Sequence, residues 1–116
     1  MTITRIKGIY EGRSRAVVHN GLVHAVATDT TNSKTIVEQT RKTLETLEKN
    51  LTDAGSGVSG LIQATVYLAD ISMKYEMDAV WCEWVGPEEN WPQRACVGTD
   101  LAGDTLVEIV VTAAVL

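Results

Sequence analysis

Apolar and polar residues alternate in six short stretches of the chain, while two longer stretches carry apolar residues at helical spacing. Alternation predicts a β-strand, because successive side chains of a strand point to opposite faces. The predicted helices run from about Ser33 to Ala54 and from about Ser72 to Val85. The predicted strands are residues 3–10, 16–19, 22–27, 61–68, 94–100 and 106–116.

Turn and capping residues set several of these bounds. Asn20-Gly21 is the strongest short turn signal in the chain and predicts a hairpin between the second and third strands. Ser33 is a reasonable N-cap for the first helix, and Gly55 closes that helix. Ser72 is the expected N-cap of the second helix, which Gly86 and Pro87 end.

The last strand is apolar on both faces, and this pattern bears on the whole architecture. One sheet with both helices on a single face buries the apolar stripes of the helices and one face of the sheet. The opposite face of the sheet then needs cover, which oligomerisation supplies. One face of the last strand is formed by Val107, Ile109, Val111, Ala113 and Val115, and one face of the strand 61–68 by Ile62, Ala64, Val66 and Leu68.

Composition narrows the class of protein. The chain has 116 residues, enough for one domain spanning residues 1–116 and not for two. Its net charge is −5, with the basic residues scattered, so a nucleic-acid partner is not expected. No apolar run is long enough to cross a membrane, and MTITRIKGIY lacks a signal-peptide hydrophobic region, so we expect a cytoplasmic protein.

Metal and cofactor motifs are missing from the sequence. Cys82 and Cys96 have neither metal-ligand spacing nor a disulfide framework around them, and reduced thiols are expected. The chain has no phosphate-binding glycine loop, no nucleophile elbow and no His/Cys cluster. We therefore expect no cofactor and no metal.

The candidate chemistry lies in the last quarter of the chain, which reads as two strands joined by a Gly-Asp turn. Arg94 and Cys96 share one face of the first strand, and Glu108 is the only ionisable side chain after Asp104. A planar guanidinium suits a substrate carboxylate as well as a protein carboxylate. Two interpretations remain open: an anion-binding site built from these three residues, or a structural Arg94–Glu108 pair near a subunit boundary.

The last quarter of the chain contains Pro92-Gln93-Arg94-Ala95-Cys96-Val97 followed, after a turn, by Val107-Glu108-Ile109. This segment resembles the closing signature of the YjgF/RidA family of reactive enamine and imine deaminases, and the shorter YoaB-like branch in particular. The resemblance extends through the early hairpin, the first helix, the middle strand and the second helix. The matching residues there are 17–23, 38–40 with Leu44, 64–70, and 77–81 with Trp84.

This resemblance implies a fold, an assembly and a reaction. The fold is a single mixed sheet of about six strands with two helices on one face, and the assembly is a homotrimer with clefts between neighbouring subunits. The reaction is hydrolysis of small enamine or imine carboxylates of the 2-aminoacrylate type to a 2-keto acid and ammonia. The resemblance makes Arg94 the carboxylate clamp, Cys96 a residue of the pocket wall, and Glu108 the group that positions water and relays protons.

The sequence departs from the family pattern at three places. Arg13 stands where relatives have a tyrosine near the pocket mouth, Val26-Ala27 stands where they have a Ser-Gly pair, and Asp78 replaces an asparagine. A second cation at Arg13 suits a dicarboxylate or a longer acidic substrate, whereas Val26 could crowd the site and remove activity. The alternative function is a trimer that binds or senses a small carboxylate without turnover.

Overall fold

The computed structural model describes residues 2–116 and contains a six-stranded sheet with two α-helices. The sheet order is β1-β2-β3-β6-β4-β5, and every neighbouring pair is antiparallel except β4 and β5. The helices are α1 (Ile36–Asp53) and α2 (Lys74–Val85). The strands are β1 (Thr4–Lys7), β2 (Ser14–His19), β3 (Leu22–Ala27), β4 (Leu61–Leu68), β5 (Gln93–Gly98) and β6 (Val107–Ala114). The α+β class and the mixed sheet of six strands are confirmed.

The C-terminal strand β6 lies inside the sheet, between β3 and β4. From the sequence we predicted that β5 and β6 are two strands joined by a turn. In the sheet they are not neighbours, because β4 lies between them. Helix α2 crosses over between β4 and β5, so β5 pairs with β4 in parallel and occupies the outer edge. The free edge of β4 then pairs with β6, whose other edge pairs with β3.

The alternation predicted for β6 is confirmed as far as Ala113, but the prediction for Val115 is wrong, because the strand ends at Ala114 and Val115 is exposed. Val107, Ile109, Val111 and Ala113 are buried beneath the helices, whereas Val110 on the opposite face is 38% exposed. In β4 the prediction for Ile62 is wrong, since its side chain is 47% exposed. The pairing register with β6 shifts between Leu61 and Gln63, and this bulge turns Ile62 away from the core.

Helix α1 begins later than predicted. The Thr35 side chain, not that of Ser33, caps it by accepting a hydrogen bond from the Glu38 amide at 3.2 Å. The Ser33 amide instead donates to a buried carboxylate, Asp29, whose other oxygen accepts from the amide and hydroxyl of Thr31. Burial alone would raise the pKa of Asp29, but the hydrogen bonds from Thr31 and Ser33 outweigh it and lower this pKa to about 2. Asp29 therefore holds the loop between β3 and α1.

Helix α2 also lacks its predicted cap. The amide and hydroxyl of Ser72 both donate to Asp70, which caps a short 3₁₀ turn at Ile71–Met73. The α-helix starts only at Lys74 and ends at Val85, as predicted. Gly86 follows with φ of 75°, a backbone angle that favours glycine. None of the helices within residues 2–116 combines the length and apolarity needed to cross a membrane.

The first strand is shorter than predicted because the chain turns at Gly8–Gly12. The register of β1 and β2 shifts between Ile6 and Lys7, and this bulge leaves Arg15 of β2 without a pairing partner on β1. The Arg15 side chain reaches α1, where Nη2 pairs with Asp53 at 2.7 Å and Nη1 donates to Asn50 at 2.9 Å. These contacts anchor the loop that carries Arg13.

A buried glutamine connects α1 to the start of β6. Gln39 is 1% exposed, and its Oε1 accepts from the Leu106 amide at 2.5 Å and from the Val107 amide at 3.3 Å. Its Nε2 donates to the carbonyls of Ser33 at 2.9 Å and Asp104 at 3.1 Å. The Gln39 side chain therefore forms hydrogen bonds with four backbone groups near the start of β6. These bonds set the position of Glu108.

We expect Gln39→Leu to lower the free energy of unfolding by at least about 2 kcal/mol, since each buried polar group left without a partner costs about 1–3 kcal/mol. Gln63→Leu is the matched control, because Gln63 is half-buried and bonds to the Thr65 hydroxyl in its own strand. Urea unfolding of both variants at one protein concentration measures the difference. Equal losses in the two variants would contradict the assigned role of Gln39.

Candidate functional site

Arg94 is held in place by α2. Its Nη2 donates to Asp78 Oδ1 at 2.6 Å, its Nη1 lies 3.9 Å from the sulfur of Met77, and its Cζ lies 5.2 Å from the ring centroid of Trp81. The side chain keeps 18% of its surface exposed. Because a guanidinium has five N–H groups and only Nη2 meets an oxygen among residues 2–116, it retains donors for a ligand carboxylate.

Asp78 links Arg94 to a second cation, Lys74. Lys74 Nζ donates to Asp78 Oδ2 at 2.7 Å, so the carboxylate bridges the two positive side chains. Burial would raise the pKa of Asp78, but the hydrogen bonds and charges of Lys74 and Arg94 hold it below its ordinary value. The Asp78 carboxylate in turn raises the pKa of Lys74. Two cations and one anion give this group a net charge of about +1 at neutral pH.

Cys96 lies on the same face of β5 as Arg94 and is half-buried against the core. Burial raises the pKa of its thiol, and the nearby charges of Arg94 and Lys74 oppose this rise only in part. A neutral thiol is a poor nucleophile, so Cys96 fits a place in the pocket wall better than a role in covalent catalysis.

Glu108 does not meet Arg94 within the chain. Arg94 lies in one cross-strand row with Ala64 and Val111, both buried beneath the helices. Glu108 lies opposite Tyr67, an odd number of residues along β6 from Val111, and so its side chain belongs to the other face. Strand β4 also separates β5 from β6, a spacing of about 10 Å. The structural Arg94–Glu108 pair is therefore absent from one protomer, and Asp78 is the ion-pair partner of Arg94.

Glu108 instead lines a cleft of about 310 Å³ between the loop after β1, α1 and the ends of β3 and β6. The Arg13 guanidinium lies over the Tyr10 ring in this cleft, with Cζ 4.4 Å from the ring centroid. Val26 also lines it, whereas the neighbouring Ala27 is 4% exposed and faces the core. This Arg13 cleft is defined by Lys7, Tyr10, Arg13, Val26, Thr28 and Glu108.

The structure thus divides the site residues expected from the sequence into two groups. Arg94, Cys96 and Asp78 lie together at the β5 edge, and Arg13, Val26 and Glu108 lie together in the cleft. Sequence reasoning missed Lys74, whose spacing of four residues from Asp78 in a helix is a readable ion-pair signal. It also missed Lys7, which a single-residue pattern does not distinguish from a solvated surface cation. Within residues 2–116, no three His, Cys, Asp or Glu side chains come together as metal ligands.

We expect Asp78→Asn to bind a small carboxylate such as pyruvate several-fold to about tenfold more tightly, because Arg94 would no longer be engaged by a protein carboxylate. Glu83→Gln on the same helix removes one negative charge from an exposed position and is the control. Calorimetric titration of both variants with pyruvate measures the difference. Weaker pyruvate binding by Asp78→Asn would show instead that Asp78 orients Arg94 for its ligand.

Comparison with known proteins assigns this arrangement to a family. Residues 10–115 match the family described as Endoribonuclease L-PSP. A RutC family protein of Haemophilus ducreyi is 37% identical to the chain, with 97% of each chain covered. The RutC family protein YoaB of Escherichia coli is 33% identical and matches over 99% of this chain and its own entire length.

Solved structures show the same fold. The protein NMB1025 of Neisseria meningitidis, a member of the YjgF family, superposes with a TM-score of 0.91 at 34% identity, covering 98% of this chain and 95% of its own. Rv2704 of Mycobacterium tuberculosis, from the YjgF/YER057c/UK114 family, superposes with a TM-score of 0.86 at 28% identity, covering 98% of this chain and its entire own chain. The chain therefore belongs to the YjgF/RidA family.

Proposed function

We propose that the protein is a hydrolytic deaminase of small enamine or imine carboxylates of the 2-aminoacrylate type. The observation that carries this proposal is the Arg94 guanidinium, which is fixed by Asp78 and Trp81 at the sheet edge and keeps donors for a ligand carboxylate. Membership of the YjgF/RidA family, which the sequence indicated through the residues around Arg94, supports the choice of reaction.

The chemistry needs little machinery because the substrate is already electrophilic. The enamine tautomerises to an imine, and water adds to the C=N carbon: a C–O bond forms, the π electrons move to nitrogen, and Glu108 transfers one water proton to that nitrogen. In the resulting carbinolamine, Glu108 transfers the hydroxyl proton to the nitrogen as the C–N bond breaks, which leaves a 2-keto acid and ammonia. Arg94 holds the carboxylate throughout.

A single protomer does not bring Arg94 and Glu108 together, so the proposal includes an assembly. Strand β5 forms one edge of the sheet and β1 the other, with the Arg13 cleft near the β1–β2 end. A rotationally symmetric ring brings the β5 edge of one subunit against a different surface of the next. The open sheet face, with Val110 and Val97 each about two-fifths exposed, also favours association. We propose a homotrimer with composite sites between subunits.

The charge of the chain favours a small anion over a polynucleotide. The family description refers to an endoribonuclease, but the net charge here is −5. Positive charge around Arg94 is limited to Lys74 and Arg94 itself, against the carboxylate of Asp78. Such a group suits one carboxylate. The second candidate function is carboxylate binding by Arg94 without turnover. The Arg94–Asp78 ion pair is the observation that favours this second candidate.

Substitutions of Arg94 and Glu108 separate binding from turnover. We expect Arg94→Lys to lower deaminase activity by about 1.5–3 kcal/mol of transition-state stabilisation, because it keeps the charge and loses the two-point contact. We expect Glu108→Gln to lower kcat about 100-fold or more while 2-keto acid binding changes little. Ammonia release from freshly generated 2-iminopropanoate gives the rate, and pyruvate inhibition gives the affinity.

Glu45→Gln on the exposed face of α1 is the control for the loss of one carboxylate. A selective loss of rate in Glu108→Gln supports the enzyme. If rate and affinity fall together, or if neither changes, Glu108 has no catalytic role and the carboxylate-binding function is favoured. An unchanged rate in Arg94→Ala would remove the clamp from the mechanism.

Subunit mixing tests the composite site and the trimer. We expect Arg94→Ala and Glu108→Gln proteins to be nearly inactive alone and to regain about a quarter of wild-type activity after unfolding and refolding together at equal amounts. In a random mixture, half of the sites receive Arg94 from a Glu108→Gln subunit, and half of those receive Glu108 from an Arg94→Ala subunit. One site in four therefore contains both wild-type side chains. No regained activity would contradict a site shared between subunits. Native mass should be about three times the chain mass of 12.6 kDa, and a stable monomer would contradict the trimer.

A further inference from the structure

We propose that the Arg13 cleft binds a second acidic group of the substrate, so that the preferred substrates are 2-imino dicarboxylates with a short aliphatic chain. This inference rests on the proposed function, in which Arg94 holds the carboxylate next to the imine carbon. Hydrolysis then replaces the C=N bond by C=O with one water consumed and one ammonia released, and the second carboxylate takes no part in bond changes.

The basic side chains of the cleft differ in their partners. Arg15 and Lys49 both pair with Asp53, at 2.7 and 3.0 Å, so each already has a protein carboxylate in contact. Lys7 and Arg13 have no ion-pair partner within residues 2–116. Two positive charges therefore line the cleft without a protein anion in contact, although the chain as a whole has a net charge of −5. An anionic ligand group is the natural partner for them.

Arg13 is oriented by the ring of Tyr10. The ring lies 4.4 Å from Cζ and covers one face of the guanidinium, which leaves the N–H groups in the guanidinium plane available. A planar fork held in this way loses little conformational freedom when a carboxylate binds in two-point fashion. The loop position is fixed independently by Arg15, whose Nε donates to the Lys7 carbonyl at 2.9 Å.

Glu108 and Val26 set the orientation of the ligand. Among residues 2–116, Glu108 is the one acidic side chain lining the cleft, so a second carboxylate is drawn toward Lys7 and Arg13 and repelled from Glu108. Val26, Ile9 and Tyr10 supply apolar surface for the methylene groups between the two acidic ends. A volume of about 310 Å³ is at the lower limit of small-molecule sites and fits a short chain.

Matched five-carbon substrates test this directly. The imine derived from glutamate carries a terminal carboxylate, and the imine derived from norvaline ends in a methyl group instead. Each is generated in situ by an amino-acid oxidase in the presence of catalase, and kcat/KM for ammonia release is measured for both. We expect the wild type to prefer the glutamate-derived imine by at least about tenfold, the effect of one charge-assisted hydrogen bond.

Charge-removing variants identify the residues responsible. We expect Arg13→Gln to reduce the ratio of the two kcat/KM values at least about tenfold, and Lys7→Gln to reduce it by a smaller factor. Lys42→Gln is the control, since Lys42 is an exposed cation of α1 that does not line the cleft. It should leave the ratio unchanged. An equal reduction in Arg13→Gln and Lys42→Gln would attribute the preference to net charge and overturn the proposal.

A binding measurement keeps this inference distinct from the deaminase activity itself. Thermal stabilisation of the wild type by 2-oxoglutarate is compared with that by 2-oxopentanoate, which lacks the terminal carboxylate. Stronger stabilisation by 2-oxoglutarate that Arg13→Gln abolishes supports the cleft even if no imine is hydrolysed. Equal stabilisation by the two acids, or equal rates on the two imines, overturns the second subsite while leaving the deaminase proposal intact.

Discussion

The insertion of β6 between β3 and β4 is the constraint on which the rest of the structure depends. Its backbone pairs with both neighbours, and its residues Val107, Ile109, Val111 and Ala113 form the centre of the core. The sheet is therefore completed only when the last segment of the chain is in place, since β3 and β4 do not pair with each other. Gln39 directs this segment by binding the amides of Leu106 and Val107 at its entry.

The same insertion decides where the polar chemistry lies. With the alternate residues of β6 fixed in the core, Glu108 must face away from the helices, whereas the row of Ala64 directs Arg94 toward α2. Arg94 and Glu108 are close in sequence, but they lie on opposite faces of the sheet and on strands that β4 separates. The proposed homotrimer would bring such groups together by placing the β5 edge of one subunit beside the Arg13 cleft of the next.

The β5 edge around Arg94 and the Arg13 cleft differ in whether their cations contact a protein carboxylate. At the β5 edge, Asp78 engages both Arg94 and Lys74, so an incoming carboxylate competes with a protein carboxylate for the clamp. In the cleft, Asp53 contacts both Arg15 and Lys49, whereas Lys7 and Arg13 have no carboxylate within ion-pair distance among residues 2–116. In the proposed composite site, an anion with two acidic ends would contact cations in both places, and a monocarboxylate only those at the β5 edge.

The sequence by itself determined the class of fold, because hydrophobic periodicity depends only on local geometry: the two helices, the faces of β6 and the hairpin at Asn20-Gly21 were all readable. It also identified Arg94 and Arg13 as candidate anion-binding residues. Capping was less readable, since Thr35 and Asp70 took roles that Ser33 and Ser72 suited equally well. Only the tertiary structure decided strand order, the bulge that exposes Ile62, and the choice of Asp78 over Glu108 as the partner of Arg94. These features depend on pairing between segments far apart in the chain, and no local pattern encodes which distant edge a strand will meet.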